Sequence, residues 1–447
     1  MALPDTEKRS AEEIYKQACE VIPGGVSRNT VFHKPHPFYA AHASGCYVTD
    51  IDGIQRLDFA NNMASLIHGH AHPAIVSAVI EQVQKGTAYT MATEAEVALA
   101  QLLCHRVESL EQVRFTNSGT EAVMAMMKAA RAFTGRSKIA KAEGAYHGTY
   151  DFAEISQAPN PTNWGDIDQP NSVPLAHGTP QGVLDDMIIF PYNDIERTIS
   201  ILNRQADKIA AVIIDPVPHR VGLLPGTEQF IEAIYNWTRE NNALLIFDEV
   251  VTFRVNYGGA QERYSVKPDM TAMGKIIGGG FPVGAFGGRA DIMKVLDPRE
   301  SKLLFPFSGT FSANPVTVTA GRVAMELFDR DAVLKLNALT QIAIRQIEEA
   351  VKLADVPVSL TGAGSMFRIH LTETPPKTFR EAYQPKEVSA LINEMLDFMY
   401  HKEQIMMINT FACMFSTVMT QKEVDKLSEG MLNVFRFIKP KLDALVK

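Results

Sequence analysis

Short apolar runs at residues 113–116, 139–141, 210–214 and 244–247 alternate with stretches of helical period, as at 120–133 and 229–240, and few folds accommodate that order. Such runs read as buried strands, and the helical stretches supply the crossovers that join parallel strands. An α/β domain with a mostly parallel central sheet is expected over residues 70–320. The full length, 447 residues, exceeds the ~100–200 usual for one domain. Beyond residue 320, helical periodicity is followed by strand-like pieces at 365–371 and 405–409 and by a final helix. This predicts a smaller α+β domain over 321–447, with the segment 1–69 packing against it. Residues 157–187, rich in Pro, Asn, Gly and Asp, predict a long irregular segment, either a surface excursion or a lid.

Composition bears on partners and compartment. Net charge is −8, both signs are spread along the chain and no basic cluster stands out, so nucleic acid is not an expected partner. Cys19, Cys46, Cys104 and Cys413 lie far apart, without the spacing of a zinc site or the density of a disulfide scaffold, which points to a reducing compartment. The start, MALPDTEKRSAEEIYKQACE, is charged, reads as a helix from about Thr6 and has no apolar signal-peptide region. Apolar runs stop well short of the ~20 residues that span a bilayer. A cytoplasmic protein without a membrane partner is expected.

Four places carry chemistry. The run 244–247 leads directly into Asp248 and Glu249, at the carboxyl end of a strand, where open α/β sheets bind ligands; taken alone, an acid there is more often a helix cap or a surface group. Lys275 is boxed by Gly274, two isoleucines and a run of glycines, a setting that disfavours the ammonium form and suits a Schiff-base lysine. A P-loop is a poor match, because Ile276 stands where that motif needs Ser or Thr. The turn Asn117-Ser118-Gly119-Thr120-Glu121 joins a strand to a helix, and amides at such a start favour a phosphate; Ser118 with Glu121 also reads as a capping box. Tyr146, beside His147 after another short strand, offers a ring that can stack on a flat heterocycle or simply fill core or surface.

Amides for a phosphate, a flat face, a carboxylate and an amine are what pyridoxal 5'-phosphate (PLP) requires. The order of NSGTEA (117–122), YHG (146–148), DEV (248–250), GKIIGGGFPVGAFGG (274–288) and SGTFSANP (308–315) resembles the class III aminotransferases of the fold-type I PLP superfamily. Within them the chain is similar to the glutamate-1-semialdehyde 2,1-aminomutase and β-amino-acid aminotransferase branch. The resemblance covers nearly the whole chain. It implies that Lys275 holds PLP as an imine and shuttles the substrate proton, and that Asp248 pairs with the pyridine nitrogen. It further implies that Tyr146 and Val250 pack on the ring faces and that Ser118, Gly119 and Thr120 hold the phosphate. Thr310 joins them from a second subunit, so a homodimer with shared active sites is expected.

The reaction is expected to be transamination from an amine or β-amino acid to a keto acid. Aminomutase and racemase chemistry on the same scaffold are the alternatives. The aminomutases usually carry a Trp where this chain has Met63, and their segment before the shared Gly-Thr differs from 304–308 here. Arg28, in IPGGVSR, stands where β-amino-acid aminotransferases grip a carboxylate, and it can equally be a surface arginine. The second arginine those enzymes carry late in the chain is missing from 409–414, and Arg220 is a candidate to take its place. A separate reading takes His68, His70 and His72 as metal ligands of a hydrolase, since alternate residues share one strand face; Gly69, Ala71 and Pro73 argue instead for a turn into a helix near Ala74.

Overall fold

A computed structural model describes residues 9–445 of the chain. The first helix there is Ala11–Val21, set by Ser10: its hydroxyl accepts from the Glu13 amide while the Glu13 carboxylate accepts from the Ser10 amide. Thr6, where a helix start was expected, lies outside the described residues. Strands Ala40–Ser44 (β1), Tyr47–Asp50 (β2) and Gln55–Asp58 (β3) then form an antiparallel meander.

The central sheet is built from Gln112–Thr116 (β4), Lys138–Ala142 (β5), Met187–Phe190, Ile209–Ile214, Leu244–Asp248, Met270–Gly274 and Gly284–Gly288. Between β5 and Met187–Phe190 the expected irregular segment carries a two-residue hairpin, Gly165–Asp166 (β6) and Gln169–Pro170 (β7), and a short helix, Gln181–Asp185. Arg380 ties that excursion down by donating to the carbonyls of Trp164 and Gly165. Numbering the remaining strands β8 to β12 in the order given, the sheet runs β4-β12-β11-β10-β9-β5-β8. All neighbours pair in parallel except β12, which runs against both β11 and β4.

Period-two alternation distributes the apolar residues of β10 to two cores. Leu244 and Ile246 join Val123 and Met126 of the helix Gly119–Thr134, while Leu245 and Phe247 join Phe230 and Ile234 of the helix Glu228–Glu240 on the other face. Each such side chain contributes about 1.5–3 kcal/mol by leaving water. The four expected strands are present, one residue longer at one or both ends. The strand β12, GAFGG, went unread because glycine disfavours strands. Its glycines are demanded by close packing: a Cβ on Gly284 would lie 2.0 Å from the Ser118 carbonyl oxygen, and one on Gly287 2.2 Å from that of Gln112.

Toward the C-terminus come the helix Arg330–Ala354, strands Ser359–Ala363 (β13) and Met366–His370 (β14), the helix Lys386–Phe398, strands Ile405–Met406 (β15) and Ala412–Met414 (β16), and the helix Gln421–Leu445. β13, β14 and β16 form one sheet, and β15 pairs in parallel with β3, joining the N-terminal meander to this region. The strand expected over 405–409 is cut to two residues, with positive φ at Gln404 and Phe411 on either side.

Candidate active site

The carboxyl ends of β4, β5, β9, β10 and β11 share one sheet edge, and each delivers a polar group there. β4 ends at Thr116, and Ser118 caps the following helix by accepting the Glu121 amide at 3.1 Å. That leaves the Gly119 and Thr120 amides as first-turn donors, which no intrahelical carbonyl can take. The turn has no room for larger residues: a Cβ on Gly119 would stand 2.7 Å from Val250 Cγ1, and one on Gly148 2.7 Å from Thr120 Oγ1.

β11 delivers Lys275, whose φ of +49° is a left-handed conformation for a residue with a Cβ. Such conformations cost about 1–3 kcal/mol and gather at functional sites. Burial pulls the Lys275 amine below its ordinary pKa, opposed by the charges of Asp248 and Asp215. Asp215, just after β9, is itself held well above the carboxylate range by burial and by Asp248. Asp215 is thus within electrostatic reach of both Asp248 and Lys275.

The last residue of β10, Asp248, is 4% exposed. Its Oδ2 lies 2.8 Å from His147 Nδ1, and its Oδ1 accepts the Val250 amide at 3.0 Å. A carboxylate only accepts, so His147 carries its proton on Nδ1; the ring is buried, burial lowers its pKa, and Nε2 has no partner among the described residues. Sequence reasoning attached little weight to His147, since nothing local links residues 101 apart in the chain. Lys141 was missed as well. Fully buried in β5, its ammonium donates to the carbonyls of Ala145, Ala153 and Ile155 at 2.7–2.8 Å and so braces the loop that carries Tyr146 and His147. The Tyr146 ring is 40% exposed, with the Arg220 guanidinium over it.

Other expected residues lie further out. Arg28 is exposed and donates to Asn62 Oδ1 at 2.7 Å. Asn62 belongs to a turn, Asn61–Ala64, with four successive positive φ angles, and its Met63 and Ala64 share an apolar cluster with Val217 and Val251. Thr310 is exposed and makes no hydrogen bond to Ser118, Gly119 or Thr120 among the described residues. The histidine trio is spent elsewhere: His68 bonds Thr417 Oγ1 and the Ala324 carbonyl, both at 2.8 Å, and His70 bonds Asp58 Oδ2. His72 directly precedes the helix Pro73–Lys85, and no group of three or more potential ligands forms a metal site among the described residues.

The sequence pattern of the aminotransferase class-III family matches residues 30–412. The chain belongs to that family. A glutamate-1-semialdehyde 2,1-aminomutase from Methanothermobacter thermautotrophicus is 36% identical over 414 residues, covering 92% of this aminotransferase and 95% of the relative. Among solved structures, an omega-transaminase from Sphaerobacter thermophilus superposes with a TM-score of 0.93 at 44% identity, covering 96% and 97% of the two chains. A beta-phenylalanine aminotransferase from Variovorax paradoxus superposes with a TM-score of 0.85 at 29% identity, covering 96% and 94%. The aminotransferase thus has the fold of the PLP-dependent, fold-type I enzymes. Its donor set fits PLP: first-turn amides in a glycine cradle for the phosphate, an aromatic face, a buried carboxylate and a lysine amine.

Proposed function

We propose that this PLP-dependent aminotransferase moves an amino group from an amine or β-amino acid to a keto acid, with Lys275 as the catalytic residue. The carrying observation is that β10 and β11 pair side by side, that Asp248 ends the first and Lys275 directly follows the second, the carboxylate fixed by His147 and the amine held below its ordinary pKa. Bound there, PLP supplies an aldehyde that condenses with amines and a pyridinium ring that takes up an electron pair. Gly119, Thr120 and the Ser118 hydroxyl hold the phosphate, Tyr146 and Val250 flank the ring, and Asp248 keeps the ring nitrogen charged. Lys275, able to shed its proton in this setting, carries the cofactor and moves the substrate proton. Arg28 is a substrate-side residue, supported by Asn62, to which it donates.

Thr310 contributes to the phosphate site across a homodimer interface. The exposure of Phe311 (58%) and of the neighbouring Leu303 and Leu304 supports a partner surface there. No helix among the described residues is long and apolar enough to cross a membrane, and the four cysteines are free, which supports a cytoplasmic setting. The likeness to an omega-transaminase and a beta-phenylalanine aminotransferase supports the choice of donor.

Borohydride reduction of the holoenzyme, followed by peptide mapping, should label Lys275, and an amine donor should bleach absorbance near about 410–430 nm. A label elsewhere, or no bleaching with any amine, overturns the proposal. A second reading, intramolecular amino transfer, is favoured by the aminomutase relative. Half-reactions with β-phenylalanine, aryl amines, alanine and glutamate-1-semialdehyde decide between them.

A further inference from the structure

Arg220 lies in the loop after β9, between the end of that strand and the Tyr146 loop of β5. The loop is stiff for local reasons. Pro216 and Pro218 restrict φ at two positions, the amides of Val221 and Leu223 both donate to the Pro218 carbonyl at 3.1 and 3.0 Å, and Val217, Val221 and Leu223 are fully buried. Between these anchors Arg220 is exposed, with its guanidinium carbon 5.4 Å from the centroid of the Tyr146 ring. A cation held over a ring in this way uses none of its N–H groups as hydrogen bonds, which leaves them for an acceptor. Among the described residues none takes them, and no carboxylate pairs with the charge. Other arginines of this region each have a protein acceptor: Arg254 donates to Ser365 and Phe415 and Arg28 to Asn62, while Arg368 reaches the His219 carbonyl through one N–H at 3.4 Å and leaves its buried Nε without a partner among the described residues.

We infer that Arg220 is the carboxylate-binding residue of this active site, gripping the carboxylate of the keto acid or amino acid with two N–H groups while Tyr146 supports its face. The inference rests on the aminotransferase reading and narrows it, since it makes carboxylates the favoured substrates. A planar fork held at the mouth of the site matches a carboxylate bidentately, which a lysine or an amide cannot do.

The test is calorimetric titration of the holoenzyme with 3-phenylpropionate and with 3-phenylpropanamide, which match in shape and differ in charge. The wild type should favour the carboxylate by about 10- to 100-fold, and Arg220→Gln should lose that preference while keeping the cofactor absorbance and melting behaviour of the wild type. A preference that persists in Arg220→Gln, or that is missing from the wild type, overturns the inference. Amine-dependent bleaching of the same wild-type sample separates the two failures. Its absence removes the aminotransferase reading, whereas bleaching combined with an unchanged preference removes only the role of Arg220.

Discussion

Replacing His147 by leucine tests the proposed role of Asp248 as the partner of a pyridinium. The imidazole Nδ1 lies 2.8 Å from Asp248 Oδ2, and with the histidine 1% exposed and the aspartate 4%, water has little access to replace the lost donor. The carboxylate then keeps one protein donor, the Val250 amide on Oδ1 at 3.0 Å. A hydrogen bond to a charged group contributes about 1.5–3 kcal/mol net, so the affinity of the apoenzyme for PLP should fall by about 10- to 150-fold. His147→Asn, whose amide nitrogen falls near the position of Nδ1, should recover most of the loss. Titrating each apoenzyme with PLP and following the absorbance gives both numbers. Equal affinities for leucine variant and wild type, or an asparagine variant as weak as the leucine one, would refute the hydrogen-bond argument.

Gly284→Ala drives a Cβ to within 2.0 Å of the Ser118 carbonyl oxygen in a strand paired on both sides, so the turn that follows β4 must move. Destabilisation of about 3 kcal/mol is expected in urea unfolding, together with weaker PLP binding; an unchanged midpoint contradicts the close packing. Acid should expose the cost of His68, which burial holds down to about 4 against an ordinary value of 6.5. Between those values the unfolded chain binds more protons, so stability falls as pH drops through 6.5 by up to about 1.4 kcal/mol per pH unit. Burial raises Glu249 to about 7 and Asp215 well above its ordinary range, and these groups push the other way. The readout is therefore a difference: between pH 7.5 and 5 the stability of the wild type should fall relative to that of His68→Gln as pH drops, and parallel curves would contradict the assignment.

Much of this protein is written in short windows of sequence. The strands β9 and β10 follow from uninterrupted apolar runs, the helix Gly119–Thr134 from its period and the Ser118 cap, and Asp248 and Lys275 from their positions after a strand and before a glycine run. These depend on covalent neighbours, and a linear reading has access to those. Tertiary structure decided the rest. The strand β12 exists because its neighbours leave space only for glycine, against the propensity of GAFGG. The turn Asn61–Ala64 holds four successive left-handed angles, which Asn tolerates singly but no local preference of Met or Ala favours. His147 on Asp248 and Arg220 over Tyr146 arise where strand ends far apart in the chain meet at one edge of a sheet, and Lys141 finds its three carbonyls only once the loop after β5 folds back over it. Burial there gives each contact its strength, and burial is a property of the folded assembly rather than of any stretch of residues.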